Sequence, residues 1–275
     1  MKKEQLKKFA KQVKVDLIGV SNIERFNGIP NEHHPKSIFP EAKSVLVVGK
    51  RITRGSLRGI EEGTQFSLYN LYGYHWLNNR ILALATFKIC EFLEDNGYES
   101  VPLPGLPSEI PSAGIPVRKN RPAPEVTVDI QDAAIRAGLG ELGYCGIFLT
   151  EQYGPRQRFQ VIITDAEFEP DAIKKENVCD MCMECTKICP LSAIGNRRKI
   201  IEICGKKMVV AEIDFEKCKI CKNGSFPDMY YEKARPDRIA ALCSRTCLNH
   251  LEETKRIRNL FCEKFRKRKV WKTLF

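Results

Sequence analysis

The sequence predicts an α/β domain followed by a smaller, cysteine-rich domain. Helical and extended hydrophobic patterns alternate as far as residue 170, which is typical of α/β architecture. From Val178 the composition changes, and nine of the twelve cysteines lie between that residue and residue 247. We therefore predict an α/β domain over 1–170, a cysteine-rich domain over 171–250, and a basic C-terminal helix or tail over 251–275.

The elements of the first part follow from local patterns. Apolar residues at helical spacing predict an amphipathic helix at 4–14, and apolar, β-branched runs predict strands at 15–21 and 44–52. A longer helical pattern covers 64–96, and Gly97 is placed to end it. Its predicted buried stripe consists of Leu77, Ile81, Leu84, Ala85, Ile89 and Phe92.

The later elements are shorter. The proline-rich stretch 101–124 predicts a long loop, and a short helix at 129–137 follows, ended by Gly138. A strand is predicted at 158–165, and the cysteine-rich part contains a predicted hairpin at 200–215.

Composition and the N-terminal pattern indicate a cytoplasmic globular protein. The chain has 275 residues, of which 43% are hydrophobic and 29% charged. No uninterrupted apolar run approaches the ~18 residues that a membrane span needs. Lysines interrupt the apolar positions of the N-terminal segment, so we expect neither a signal peptide nor a membrane partner.

The formal net charge of +11 is concentrated at the C-terminal end. From His250 to Phe275 there are nine Lys or Arg residues and three Asp or Glu residues. Two interpretations are open. The tail contacts RNA phosphates, or it forms a solvated amphipathic helix packed by Ile257, Phe261 and Phe265.

The most specific motif is CDMCMECTKICP, which begins at Cys179. Its spacing, C-x2-C-x2-C-x3-C-P, is that of the bacterial ferredoxin run. In that run three thiolates hold one [4Fe-4S] cluster, and the fourth cysteine, here Cys189, belongs to another cluster. Because cytosolic thiols stay reduced, we do not expect disulfides. A zinc site or buried thiols are the alternative interpretations.

One such run implies a second set of ligands, which CKIC at Cys218 and CSRTC at Cys243 can supply. By analogy with ferredoxins, the expected sets are Cys179, Cys182, Cys185 and Cys247 for one cluster, and Cys189, Cys218, Cys221 and Cys243 for the other. The other cysteines are Cys90, Cys145, Cys204 and Cys262. We expect them to be small buried hydrophobic residues, with Cys145 left open because it lies in a glycine loop.

That loop contains the pattern G-x-G-x-x-G at Gly138, Gly140 and Gly143. In dinucleotide-binding folds this pattern follows a strand and opens a helix. Here a helical pattern precedes it and an extended segment, YCGIFLT, follows. We therefore interpret the glycines as a helix stop and a tight turn.

Two segments resemble the cobalamin-dependent reductase superfamily of reductive dehalogenases and epoxyqueuosine reductases. They are AGLGELGYCGIFLTEQYGPRQRFQVIITD and, after a spacer, CDMCMECTKICPLSAI. More weakly, YGYHWLNNRILALATF (72–87) resembles a helix start of the epoxyqueuosine reductases. The resemblance implies a nitroreductase-like α/β domain that binds base-off cobalamin, followed by a bacterial-ferredoxin-like double [4Fe-4S] domain. Electrons from ferredoxin or flavodoxin would pass through both clusters to cobalamin, and then to a small-molecule or tRNA-borne substrate.

The resemblance also implies candidate site residues. The proton donors would be Glu125, Asp129 and Tyr74, although no Asp stands at the position where epoxyqueuosine reductases carry theirs. Helix capping by the two acids and a half-buried aromatic face for the tyrosine are the alternatives. The candidate cofactor contacts are Gly138, Gly140, Gly143, Tyr144, Cys145, Arg156, Arg158 and His75. The two arginines would meet corrinoid amides or phosphate, or lie in solvent. His33 and His34 are expected in a surface loop.

Two other function classes are compatible with the sequence. One is an electron-transfer or reductive-activation protein that acts on a corrinoid held by a partner. The other is a nucleic-acid-binding iron–sulfur protein that uses the basic tail. The sequence does not identify the substrate, the electron donor or the oligomeric state.

Overall fold

A computed structural model describes residues 1–274 of the chain. Its α-helices are α1 (Lys3–Gln12), α2 (Pro35–Ile38), α3 (Arg58–Glu61), α4 (Ser67–Tyr69), α5 (Ala83–Asp95), α6 (Ile130–Arg136), α7 (Glu184–Ile188), α8 (Phe215–Lys219) and α9 (Leu242–Glu253). Its strands are β1 (Leu17–Asn22), β2 (Ser44–Arg51), β3 (Ser100–Leu103), β4 (Glu141–Leu142), β5 (Phe148–Leu149), β6 (Gln157–Thr164), β7 (Ile194–Ile203) and β8 (Lys206–Ile213). The patterns therefore predicted most of these elements within a few residues.

The chain forms two compact units that interleave along the sequence. The first, here the sheet unit, comprises Met1–Lys50, Asn78–Leu139 and Arg158–Ile173. The second, the cysteine unit, comprises Arg51–Leu77, Gly140–Gln157 and the chain from Lys174 onward. The predicted division at residues 170 and 250 follows the sequence instead. It misses the two earlier segments of the cysteine unit because nothing in their composition marks them.

The sheet unit is built on a four-stranded sheet of order β1-β2-β6-β3. β1 pairs antiparallel with β2, and β3 pairs antiparallel with β6. Because β2 has apolar residues on both faces, its first six residues are buried. α1 and α5 cover the sheet, with Leu6, Ala10, Ile89 and Leu93 in the core.

The predicted helical stretch at 64–96 changes its winding along its length. Asn70–His75 and Leu77–Leu82 are π-helical, and α5 follows. A π-helix does not keep the 3.6-residue period, so the predicted stripe slips out of phase. Ile81 and Leu84 are exposed, which corrects their assignment to the core.

The cysteine unit contains the hairpin β7–β8, the short pair β4–β5, and α7 to α9 around one apolar core. After α9 no further helix occurs among the residues as far as Leu274. The predicted C-terminal helix is therefore wrong. Ile257 and Phe265 are buried as expected, but Phe261 is exposed. Residues beyond 253 instead form an irregular segment held by specific polar contacts to the rest of the unit.

Two further outcomes concern the leftover cysteines and membranes. Cys90 and Cys145 are buried, but Cys204 and Cys262 are exposed, so the burial predicted for those two is wrong. Cys204 lies in the turn between β7 and β8, where chain reversal exposes side chains. Within residues 1–274, no helix has the length and apolar character that a membrane crossing requires.

Candidate functional site

Four cysteines line a first cavity of about 370 Å³ in the cysteine unit. They are Cys179, Cys182, Cys185 and Cys247. The first three lie on a loop that coils tightly into α7, and Met181 and Met183 in that loop adopt left-handed backbone conformations with φ of 60° and 64°. The fourth is supplied by α9. The tight loop explains how cysteines spaced by two residues reach one cavity.

A second cavity of about 350 Å³ is lined by another four cysteines, Cys189, Cys218, Cys221 and Cys243. Cys189 ends α7, Cys218 lies on α8 and Cys243 lies on α9. The two cavities therefore divide the eight cysteines into the same two sets that ferredoxin analogy predicts.

The sulfur atoms within each set are widely spaced. Across residues 1–274, the one group of three or more candidate ligand atoms within 4.8 Å of one another is Asp180, Cys182 and His250. No three cysteine sulfurs therefore approach each other that closely. A tetrahedral zinc ion with Zn–S bonds of ~2.3 Å needs sulfurs ~3.8 Å apart. This spacing suits a multi-iron cluster better than a single zinc ion.

Backbone and side-chain N–H groups point at several of these sulfurs. The amide of Tyr144 donates to Cys179 Sγ at 3.4 Å, and the amide of Ala193 donates to Cys189 Sγ at 3.2 Å. Such donors stabilise thiolate ligands and tune cluster potentials. Burial raises the pKa of Cys218 to about 11 and that of Cys243 to about 12. Metal binding at these thiols must therefore displace protons.

Glu141 fixes the start of the first cysteine loop. Its carboxylate accepts a hydrogen bond from the backbone amide of Cys179 at 2.8 Å and pairs with Lys206 at 2.8 Å. Both side chains of that ion pair are less than 5% exposed. Sequence reasoning missed Glu141, although it lies inside the glycine segment, because its partners are distant in sequence.

The candidate proton donors lie in different surroundings. In the cysteine unit, Tyr74 is 4% exposed, its hydroxyl donates to Asp228 at 3.3 Å, and it accepts from the amide of Met229 at 3.1 Å. This burial corrects the half-buried alternative. The ring of His75 lies 5.3 Å from that of Tyr74. No sequence signal indicated Asp228.

The two candidate acids lie in the sheet unit. Asp129 is the N-cap of α6 and accepts a hydrogen bond from the amide of Asp132 at 2.9 Å, as the capping alternative predicts. Glu125 is exposed and has a φ of 69°. His33 and His34 make local contacts, to Thr127 and to the amide of Lys36.

The three glycines are explained by close backbone packing. Gly138 ends α6 with a φ of 72°, and its amide and the next one bond back to α6 in a Schellman motif. A Cβ at Gly140 would lie 2.0 Å from the carbonyl oxygen of Leu149, and one at Gly143 would lie 2.8 Å from the Leu149 side chain. This confirms the predicted helix stop and turn.

The remaining predicted cofactor contacts are mostly internal. Gly143, Tyr144 and Cys145 line the first cysteine cavity. Arg156 is 1% exposed and donates to the carbonyl of Ile52 and to Asn259, so the solvent alternative is wrong for this residue. Burial lowers the pKa of its guanidinium to about 10. Arg158 lies on β6 and is half-buried.

Known proteins resemble this chain over part of their length. No protein-family model matches it. A tetrachloroethene reductive dehalogenase from Desulfitobacterium hafniense is 30% identical over 169 residues, which cover 59% of this chain and 27% of that protein. An epoxyqueuosine reductase from Listeria monocytogenes is 23% identical over 210 residues, covering 70% of this chain and 48% of that protein. The matched regions are thus less than half of each of these relatives.

Solved structures give the same picture of the fold. A reductive dehalogenase structure, from which a mechanism for B12-dependent dehalogenation was suggested, covers 89% of this chain and 31% of its own, with a TM-score of 0.57 and 17% identity. An epoxyqueuosine reductase from Streptococcus thermophilus covers 88% of this chain and 66% of its own, with a TM-score of 0.50 and 16% identity. The chain therefore has the fold that these two groups of proteins share.

Proposed function

We propose that this chain, a member of the superfamily of reductive dehalogenases and epoxyqueuosine reductases, is a cobalamin-dependent iron–sulfur reductase with two [4Fe-4S] clusters. The observation that carries this proposal is the grouping of eight cysteines into two cavities of four. The sheet unit would correspond to a nitroreductase-like fold, and part of the cysteine unit to a ferredoxin-like double-cluster domain.

The cysteine cavities fit iron–sulfur clusters. Their sulfurs are too far apart for one zinc ion, and amide donors already point at two of them. When bound, the clusters supply one-electron transfer, and cobalamin supplies a reducing cobalt centre. The chain's own part is to hold the ligand loops, to exclude water from the buried sulfurs and to tune their charge.

The predicted corrinoid contacts fit less well. Three of them line the first cysteine cavity, and Arg156 is buried among protein partners. They do not form a corrinoid cradle. The support for cobalamin comes from the relatives, and the assignment of these residues to it is not supported by their positions.

This misfit favours a second candidate function, a protein that passes electrons to a corrinoid held by a partner. Such a protein would need both clusters and no cobalamin of its own. The two candidates therefore differ in one measurable property, which is the cobalt content of the fully metallated chain.

The substrate and partners follow from the relatives' names. A dehalogenase relative favours reductive removal of halide from a small molecule, and an epoxyqueuosine reductase relative favours removal of an epoxide oxygen from a tRNA-borne base. We propose a ferredoxin or flavodoxin as the electron donor. We propose the cytoplasm as the location, because thiols stay reduced there.

Anaerobic purification with hydroxocobalamin supplied tests the proposal. We expect about one cobalt per chain, a base-off cobalt EPR signal, and reduction of either a chlorinated alkene or an epoxyqueuosine-bearing stem-loop. Full iron content without cobalt would reject the cobalamin-dependent enzyme and support the electron-transfer candidate. A chain that binds neither iron nor cobalt would reject both.

A further inference from the structure

One arginine contacts the linings of both cysteine cavities. Arg238 is 5% exposed and lines the second cavity. Its Nη2 donates to the backbone carbonyl of Cys145 at 3.0 Å, and Cys145 lines the first cavity. The guanidinium also lies over the ring of Phe215, 5.2 Å from its centroid. These contacts hold the charged group in a fixed, dry position.

The other terminal nitrogen of this arginine has no partner. Within residues 1–274, Nη1 of Arg238 is buried without a hydrogen bond, and no carboxylate forms an ion pair with the side chain. A buried charged donor left unsatisfied is costly and calls for an explanation. An acceptor of negative charge inside the second cavity would satisfy it.

The bound cluster supplies such an acceptor. An oxidised [4Fe-4S] cluster with four thiolates has a net charge of about −2, and reduction adds one more negative charge. A nearby positive charge stabilises the reduced form more than the oxidised form, and low-dielectric surroundings strengthen this difference. The charge already acts on the empty thiols. Burial raises the pKa values of Cys218 and Cys243, and Arg238 opposes both increases.

We propose that Arg238 donates its Nη1–H to a sulfur of the second cluster and thereby raises that cluster's reduction potential. The inference rests on the proposed function, since it requires the cluster held by Cys189, Cys218, Cys221 and Cys243. The step affected is the one-electron reduction of the cluster from the 2+ to the 1+ state, with the electron supplied by a low-potential carrier protein. Arg238 is a positioning and charge-tuning residue for that step, and the Cys145 carbonyl orients it.

An EPR-monitored redox titration of the full chain with dithionite tests this. The signal of the second cluster is identified as the one lost in Cys221→Ser. We expect Arg238→Gln to disfavour reduction of that cluster at least tenfold, which is ~59 mV for one electron. Arg238→Lys keeps the charge but not the planar fork, so it should shift the potential in the same direction by less. The control is Arg235→Gln, which removes an exposed arginine over the same Phe215 ring and should leave the potential unchanged.

The outcomes separate this inference from the proposed function. Two loaded clusters with an unchanged second potential in Arg238→Gln would overturn the inference alone. If that variant fails to load the cluster, a loaded Arg238→Lys with the wild-type potential would overturn it equally. A wild-type chain that binds no second cluster would overturn the proposed function and the inference together.

Discussion

Cys243 and Cys247 lie one turn apart on α9, yet they line different cysteine cavities. A single helix therefore supplies one ligand to each proposed cluster. Because residues four apart share one face of a helix, α9 fixes the two sites relative to each other. The sequence indicates this only through the unusual spacing CSRTC, which departs from the ferredoxin run.

This arrangement predicts selective loss of clusters. Cys247→Ser should remove the EPR signal of the first cluster and leave that of the second, and Cys243→Ser should do the reverse. The reason is that each substitution removes one thiolate from only one set. Cys204→Ser, at an exposed turn, is the control and should change neither signal. Loss of both signals in each ligand variant would contradict the separate assignment.

Glu141 should stabilise the first cluster without being a ligand. Glu141→Ala removes the acceptor of the Cys179 amide and leaves Lys206 buried without its ion-pair partner, which typically costs ~3–5 kcal/mol. We expect lower stability and reduced iron content, with the first EPR signal lost before the second. Glu141→Gln keeps an oxygen acceptor and should retain more of the first cluster. Equal loss of both signals would contradict a local role.

The basic tail is held by a buried carboxylate. Glu61 pairs with Arg245 and, at 2.6 Å, with Arg266, and the indole of Trp271 donates to the carbonyl of Ile60 at 2.8 Å. Glu61→Gln should lower the free energy of unfolding by ~3–5 kcal/mol, because Arg245 is buried and loses its partner. Urea unfolding measures this.

The control for that variant is Glu263→Gln. This removes an exposed ion pair to Lys267 and should cost no more than ~1 kcal/mol. Equal effects of the two substitutions would show that the tail is not anchored through Glu61.

The RNA interpretation of the tail makes a different prediction. Lys269 and Lys272 are exposed, so replacing both by glutamine should weaken stem-loop binding and reduce its salt dependence by one to two counterions, roughly 0.9 in slope for each contact with a duplex. Filter binding at several salt concentrations measures this. An unchanged affinity and slope would remove the tail as an RNA-binding element.

The glycine segment allows a stability test with a matched control. Gly140→Ala places a Cβ 2.0 Å from a backbone oxygen, so we expect a loss of at least ~1–3 kcal/mol. Gly55→Ala meets no atom within 4 Å and should be close to neutral. Thermal unfolding of both variants measures the difference. A neutral Gly140→Ala would contradict the close packing of β4 and β5.

The proton-donor candidates differ in what else they hold together. If Glu125 supplies the proton, Glu125→Gln should lower turnover by ~10²–10⁴-fold without loss of stability, because its side chain is exposed. Tyr74→Phe should lower both turnover and stability, since the hydroxyl contacts Asp228 and Met229. Normal turnover in both variants would exclude them as donors. Steady-state kinetics on the cobalamin-loaded protein measures this.

Local signals explain what the sequence predicted correctly. The run from Cys179 to Cys189 identified both cavities because its spacing alone determines which sulfurs converge. Similarly, Asp129 and Gly138 bracket α6 through capping rules that act within four residues.

Features that depend on distant contacts were not predictable. Arg238 and Glu141 matter because of partners between 38 and 93 residues away, and neither belongs to a recognisable motif. The exposure of Ile81 depends on a π-helical segment that shifts the hydrophobic phase. The tail failed as a helix because Glu61 offers its arginines a buried partner.

The central claim is that the two cysteine cavities hold two [4Fe-4S] clusters. Iron and acid-labile sulfide analysis of the anaerobically purified chain, with Mössbauer spectroscopy, tests it most directly. The account predicts about eight irons and eight sulfides per chain, all in [4Fe-4S] form. Zinc in place of iron, or four irons confined to one cluster, would contradict it.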